Sequence, residues 1–187
     1  GLPYQRPETF KKSIEQVIEM DPDRISVFSY AHLPQRFAGQ KKIPEESIPQ
    51  PSVKLSLLEQ AITQLNDAGY QFIGMDHFAK KDDGLAIAQR EGRLQRNFQG
   101  YTTDGQDALL GLGVSSISQV NGVLWQHEKE LPAYYKMIDS GQKPIVKGMA
   151  LTDEDKVRAA LISQVICHFE LDIEAFKSQW NIDDFWA

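Results

Sequence analysis

Apolar residues recur at helical spacing in several stretches of the chain, and most of these stretches are bounded by residues that start or stop helices. The predicted helices cover residues 7–20, 52–68, 128–139, 153–169 and 172–180. Pro7 suits the first turn of a helix, where the missing N–H has no partner to lose. Thr152 and Asp172 are of the residue types that cap helix N-termini.

Two runs rich in β-branched and aromatic residues, at 24–30 and 70–79, predict strands. The Asn121-Gly122 dipeptide between short apolar runs predicts a hairpin, and a short helix is expected near Asp104. Helices alternate with strands up to residue 126 and dominate afterwards. The pattern therefore predicts an α/β region at 1–126 and a mostly helical region at 127–187.

Composition narrows the function classes. The 187 residues include 26 acidic and 20 basic side chains, for a formal net charge of -6. This balance argues against a nucleic-acid partner, which would require a basic surface. The mean hydropathy is -0.41, and no apolar run approaches the ~20 residues of a membrane helix, so no membrane partner is expected. A single cysteine excludes an internal disulfide and favours a reducing cytoplasm.

The histidines offer no metal site, because no two of them have the spacing of metal ligands. His77 follows Asp76 inside a predicted strand, where neighbouring side chains point to opposite faces, so the two are not expected to pair. His32 follows the end of a strand, where α/β proteins bind ligands, and it is equally consistent with a solvated loop residue. Cys167 adjoins an apolar helix stripe and is interpreted as a core residue.

Two glycine-containing segments stand out between residues 96 and 116. The segment 111–116 lacks the third glycine and the Lys-Ser/Thr pair of phosphate-binding loops, so a close backbone approach remains the alternative. The segment 96–103 combines a cation, amides and two aromatic rings. That composition suits a planar or carboxylated ligand, and it also suits a solvated loop with one aromatic anchor.

Several segments, taken in order, resemble the oxygen-independent coproporphyrinogen III oxidases, which are radical S-adenosylmethionine (SAM) enzymes. The similar segments are 1–3, 26–34, 70–79, 88–92, 96–103 and 111–115. The resemblance implies that residues 1–126 are the remainder of an incomplete (β/α) radical-SAM barrel, from its last strand onward. Residues 127–187 would then be part of a mostly helical C-terminal domain.

The resemblance also implies the chemistry of the full-length protein. The protein would hold a [4Fe–4S] cluster and two SAM molecules and would receive electrons from a donor. One SAM would be cleaved to a 5′-deoxyadenosyl radical, which removes hydrogen from propionates of coproporphyrinogen III. Loss of CO2 and an electron leaves vinyl groups, giving protoporphyrinogen IX for haem synthesis without oxygen. The cluster motif Cys-x-x-x-Cys-x-x-Cys is absent from this sequence, so this portion is expected to be inactive alone and to bind no metal.

The resemblance assigns roles to a few residues of this chain. Ala31 matches a position that contacts the second SAM, and Ile117 matches one beside the cluster-bound SAM. Phe98 and Gln99 match a pair at the active-site cavity and are the predicted catalytic residues. By proximity we add three neighbours, which are Tyr30, His32 and Tyr101.

Two other functions remain alternatives, a related radical-SAM haem chaperone and a stand-alone binding module. The sequence begins at Gly1 without Met and has two bulky aromatic residues, Phe185 and Trp186, just before its last residue, which favours a piece of a larger protein. In such a piece the strand Ile25 to Tyr30 would lose its parallel neighbour. We therefore expect the isolated chain to self-associate through an exposed strand edge.

Overall fold

The computed structural model describes residues 1–105 and 108–182. The terminal aromatic residues Phe185 and Trp186 lie outside the described residues. The chain forms two compact units, Gly1–Glu91 and Gly92–Ala187, which are described here one at a time. Within the described residues, no helix combines the length and the apolar character needed to cross a bilayer.

Unit 1 contains three helices and a small sheet. Its elements are α1 (Pro7–Glu19), β1 (Arg24–Ser26), α2 (Pro51–Asp67), β2 (Tyr70–Gly74), β3 (His77–Lys80) and α3 (Gly84–Arg90), with short 3-10 helices at Ala38–Lys42 and Glu45–Ser47. The strands lie in the order β1-β3-β2, and β3 pairs antiparallel with both neighbours.

The core of unit 1 lies between α1, α2 and the sheet. It consists of Ile14, Ala61, Leu65, Tyr70 and Phe78. Burial of these apolar side chains is the main force that holds the helices on the sheet. The one polar atom that Tyr70 brings into this core is satisfied, because its hydroxyl donates to the Pro22 carbonyl at 2.7 Å.

The predicted strand 70–79 is wrong as a single element, because the chain reverses within it. Gly74 has φ 147° and Met75 has φ 52°, so the backbone turns and residues 77–80 return beside 70–74 as β3. The strand predicted at 24–30 ends at Ser26, although the Val27 N–H still donates to the Asp76 carbonyl at 2.8 Å. Its neighbour among the described strands is β3, and the two pair antiparallel.

The strand β1 leaves one edge of the sheet in unit 1 open, and we expect copies of the chain to associate through this edge. Among the described strands of unit 1, β1 is bonded only to β3, and an unpaired edge accepts a further strand. We expect the 187-residue chain to show a sedimentation coefficient that rises with concentration, and Ser26→Lys on this edge to reduce the rise. Sedimentation velocity over a hundredfold concentration range checks this, and a monomer throughout would contradict it.

The described residues of unit 2 form two antiparallel sheets and three helices. Its elements are β4 (Gln95–Asn97), β5 (Gly100–Thr102), β6 (Ala108–Leu109), β7 (Ile117–Val120), β8 (Val123–His127), α4 (Leu131–Asp139), β9 (Ile145–Ala150), α5 (Asp153–His168) and α6 (Ile173–Trp180). β4 pairs with β5, and the other sheet has the order β6-β7-β8-β9.

Local signals in unit 2 are confirmed where they are strong. Asn121 and Gly122 have φ 48° and 74° and join β7 to β8 as predicted, because both positions tolerate left-handed backbone. Thr152 and Asp155 form a reciprocal cap of α5, and Asp172 caps α6. The short helix expected near Asp104 is wrong for the described residues, because 104 and 105 are not helical and Ala108–Leu109 is the strand β6, which pairs with β7.

The mixture of helices and strands confirms the predicted α/β class. The boundary between the compact units lies after Glu91, whereas the predicted domains divide at residue 126. The two differ because β8 and β9 pair across residue 126 and keep both sides of it in one unit. The division into 1–126 and 127–187 stays a prediction.

Candidate functional site

A groove in unit 1 has the size of a ligand site, with a volume of 1030 Å³. It is walled by α1, α2 and the segment that follows β1. Phe10, Ile14 and Leu58 give it apolar walls, and Lys54 and Asp76 bring charges of opposite sign. A groove of this kind can hold an apolar body that carries both an anionic and a cationic group.

Ala31, the predicted cofactor-contacting residue, lines this groove beside Tyr30. Gln40 holds the segment, because its side-chain N–H donates to the Ala31 carbonyl at 3.1 Å and its side-chain oxygen accepts from the Leu33 N–H. The Lys54 ammonium lies 3.4 Å from the Tyr30 carbonyl. The polar excursion after Pro34 therefore fixes the course of the groove wall at Ala31.

His32 follows directly and stands beside Tyr30, with 6.1 Å between the ring centroids. Its Nδ1 is buried and has no hydrogen-bond partner among the described residues. His32 is absent from the residues that line the groove. The structure thus brings Tyr30 and Ala31 into the groove wall and leaves His32 next to it.

The expectation that Asp76 and His77 do not pair is wrong. Asp76 lies in the turn between β2 and β3 rather than in a strand, so the alternation of strand side chains does not apply. The carboxylate oxygen Oδ1 of Asp76 lies 2.7 Å from Nδ1 of His77. Asp76 also lines the groove, so this carboxylate connects the groove to a histidine.

In unit 2, Phe98 and Gln99 form the tip of the β4–β5 hairpin. The Asn97 side-chain oxygen accepts from the Gln99 N–H at 2.8 Å, and Gly100 has φ 135°, a value that a side chain would strain. The Phe98 side chain is 53% exposed. The hairpin therefore presents the Phe98 ring on a well-defined turn, with Gln99 as the next residue.

Tyr101 anchors that hairpin to the rest of unit 2. Its hydroxyl donates to the Ile166 carbonyl of α5 at 3.0 Å. Its ring carries the guanidinium of Arg96, 5.7 Å from the centroid, within the range of a cation–π contact. Tyr101 thus supports the hairpin, and the site role predicted for it by proximity stays a prediction.

The glycine-rich segment ahead of Ile117 is a tight turn rather than a phosphate cradle. A Cβ at Gly111 would lie 2.6 Å from the Ile117 carbonyl oxygen, so only glycine fits there. The Gly111 N–H donates to the buried Ser118 hydroxyl at 3.0 Å. The close approach is made within the chain, between Gly111 and the first residue of β7, and Ile117 itself is half-buried.

His127 at the end of β8 holds the same turn. Its Nδ1 lies 3.0 Å from the Gly113 carbonyl and 3.0 Å from the Ser116 hydroxyl, which itself donates to that carbonyl at 2.9 Å. Because a carbonyl only accepts, the geometry assigns the Nδ1–H tautomer to neutral His127. Sequence analysis missed this contact, since Ser116 and His127 meet only once β7 and β8 have paired.

The part of the chain that the structure describes contains no cluster of side chains suited to bind a metal ion. No group of three or more His, Cys, Asp or Glu side chains could hold an ion there. Cys167 is fully buried, and burial raises the pKa of its thiol, so this cysteine is a protonated core residue and not an activated nucleophile.

The predicted site residues fall in both units, Ala31 in unit 1 and Phe98, Gln99 and Ile117 in unit 2. Within unit 2, the hairpin tip and the turn before Ile117 are each fixed by hydrogen bonds of their own. The roles of these four residues stay predictions.

Comparison with known proteins gives a consistent set of relatives. No family model matches. The oxygen-independent coproporphyrinogen III oxidase of Escherichia coli (strain K12) is 50% identical over 189 residues, which cover 100% of this chain and 41% of that protein. The protein of the same name from Pseudomonas aeruginosa is 49% identical over 183 residues, covering 98% of this chain and 40% of the relative.

A solved structure agrees with these relatives. Coproporphyrinogen III oxidase (HemN) from Escherichia coli, described as a radical SAM enzyme, matches with a TM-score of 0.91 and 50% identity, covering 97% of this chain and 42% of that one. The chain therefore has the fold of part of a radical SAM enzyme, as the resemblance implied. It spans about two fifths of the length of the curated relatives it matches.

Proposed function

Since the chain is homologous over its whole length to part of the oxygen-independent coproporphyrinogen III oxidases, we propose that it forms the corresponding part of such an enzyme. The reaction is the oxidative decarboxylation of coproporphyrinogen III to protoporphyrinogen IX. Each of two propionates loses CO2, one hydrogen atom and one electron and becomes a vinyl group. The observation that carries the proposal is the 50% identity over 100% of the chain.

Of the two cofactors of such an enzyme, this chain has residues suited to SAM and none suited to the [4Fe–4S] cluster among those described. The described residues lack a ligand set for a [4Fe–4S] cluster, and Cys167 is buried, so the cluster does not fit here. SAM fits the groove of unit 1, where Ala31 and the apolar walls would take its adenosine. Lys54 and Asp76 would take the carboxylate and the ammonium of its methionine part. In the full-length protein, SAM bound beside the cluster would supply the hydrogen-abstracting chemistry, with electrons from a separate donor.

The unit 2 residues supply placement. The exposed ring of Phe98 gives a flat apolar surface for a pyrrole or an adenine, and the Gln99 amide orients a polar group beside it. Ile117 provides an apolar side chain that keeps water from a reactive carbon. These roles are those of orientation and water exclusion, which a protein contributes to chemistry carried by a cofactor.

The test uses a chimera, because the relatives are longer than this chain. The matching segment of the Escherichia coli oxidase is replaced by the 187 residues. Anaerobic conversion of coproporphyrinogen III is then measured with SAM and a reductant. We expect turnover. We also expect Phe98→Ala and Gln99→Ala each to lower it about 10–100-fold, the effect of a misplaced reacting group.

The matched control is Tyr135→Ala, which removes an aromatic ring that is 55% exposed, close to the 53% of Phe98, from α4 of the same unit. Its activity is expected to equal that of the unchanged chimera. A chimera that folds and keeps the absorbance of its cluster, yet releases no CO2 from coproporphyrinogen III, would overturn the proposal.

A further inference from the structure

A second cavity, in unit 2, has no role in the function proposed above. Its volume is 660 Å³, within the range of small-molecule sites. It lies where the β4–β5 hairpin, the β6–β7 edge and the first half of α5 meet. Its polar lining consists mainly of Arg96, Asn97, Asp104, Gln119, Asn121 and Lys156.

Arg96 is the first cation of this cavity. Tyr101 supports its guanidinium from one face at 5.7 Å, and the ring is itself tied to α5 through its hydroxyl. No carboxylate of the described residues forms an ion pair with Arg96. A guanidinium that is held by an aromatic ring and lacks an ion-pair partner has its planar donor edge available to an incoming carboxylate.

Lys156 is the second cation, and its partner binds it weakly. The Lys156 ammonium lies 2.8 Å from Asp153, whose side chain is 98% exposed. Exposed pairs of this kind contribute little, because water competes for both charges. A ligand inside the cavity can therefore take over Lys156 with small loss. Asp104 supplies the opposing charge, so the described lining residues carry a net charge of one positive unit.

Side-chain amides complete the lining. The Asn97 oxygen accepts from the Gln99 N–H at 2.8 Å, and the two N–H donors of the same amide are available to an anion. Gln119 and Asn121 add further amides from β7 and its turn. Two cations surrounded by amides recognise an anion with oxygen acceptors, and this cavity stands out on a chain with a net charge of -6.

We propose that the unit 2 cavity binds a carboxylate of the substrate, with Arg96 as the principal cation and Lys156 as the second. The inference rests on the function proposed above, since coproporphyrinogen III supplies the propionate carboxylates. Arg96, Asn97, Phe98 and Gln99 belong to one hairpin. A carboxylate held at Arg96 thereby fixes the substrate relative to the hairpin tip. Arg96 is a binding residue and takes no part in hydrogen removal.

Two measurements test the carboxylate site. In the chimera, Arg96→Gln is expected to raise KM for coproporphyrinogen III about tenfold, the effect of losing a charge-assisted hydrogen bond, with kcat little changed. Arg96→Lys is expected to recover part of that loss. Separately, the 187-residue chain is titrated with coproporphyrin III, the stable fluorescent form of the ring, and with its tetramethyl ester, which lacks the four carboxylates.

The matched control is Lys147→Gln, which removes the same charge from the exposed strand β9 outside the cavity. We expect coproporphyrin III to bind the unchanged chain and Lys147→Gln alike, and Arg96→Gln about tenfold more weakly. Equal binding of the ester, or equal KM and affinity for Arg96→Gln, would overturn the inference. An inactive chimera whose 187-residue part still shows Arg96-dependent binding would count against the proposed reaction and in favour of the carboxylate site.

Discussion

Phe78→Ala is expected to lower the free energy of unfolding of unit 1 by about 3–5 kcal/mol, the usual effect of removing a buried phenyl ring. Phe78 is 1% exposed and lies in the middle of β3, which is bonded on both sides. Its ring packs 5.2 Å from that of Phe72. The cavity left by the ring would touch both helices and the sheet, so the loss is not confined to one element.

Hydrogen exchange of unit 1 peptides in increasing urea measures this effect, and peptides of unit 2 serve as an internal reference. Phe37→Ala is the matched control, because it removes the same ring from a position that is 56% exposed in the same unit. We expect it to change stability by less than about 0.5 kcal/mol. Equal effects of the two substitutions would show that Phe78 is not a core residue.

Gly111→Ala is expected to destabilise unit 2 by about 1–3 kcal/mol, the range found when a group is forced into packed space. The new Cβ would lie 2.6 Å from the Ile117 carbonyl oxygen and 2.9 Å from the Ser116 Cβ. Neither neighbour can swing aside, because one is backbone and the other is a Cβ atom. The turn has to open, and Ile117 at the start of β7 moves with it.

Trp125 on β8 reports on this change through its fluorescence during urea unfolding. Gly39→Ala is the control, since a Cβ there meets nothing within 4 Å. We expect Gly39→Ala to unfold at the same urea concentration as the unchanged chain. A Gly111→Ala midpoint within error of the Gly39→Ala midpoint would contradict the close approach.

The helices with local signals were predictable, whereas several strands were not. Thr152 and Asp172 predict the starts of α5 and α6, because capping depends on residues only a few positions apart. The turn at Met75 has no such signal, because methionine is rarely found at positive φ. β9, with all six residues exposed at a sheet edge, lacks the alternation of a half-buried strand.

The candidate site, too, was predictable only in part from the sequence. The roles of Ala31, Phe98, Gln99 and Ile117 come from resemblance, because no spacing within this chain points to SAM or a propionate. The pairing of Asp76 with His77 was mispredicted because it depends on the turn being placed correctly. Arg96 and Lys156 line the same cavity because β4 packs against α5, and local sequence does not encode that packing.

The turn held by His127 constrains how this chain can diverge. The Nδ1 atom of His127 contacts the Gly113 carbonyl and the Ser116 hydroxyl. A residue without a hydroxyl at position 116 removes one of these two contacts. Substitution at either position relaxes selection on the other. In an alignment of homologues, positions 116 and 127 should therefore change together, and should covary more strongly than either does with its neighbours in sequence.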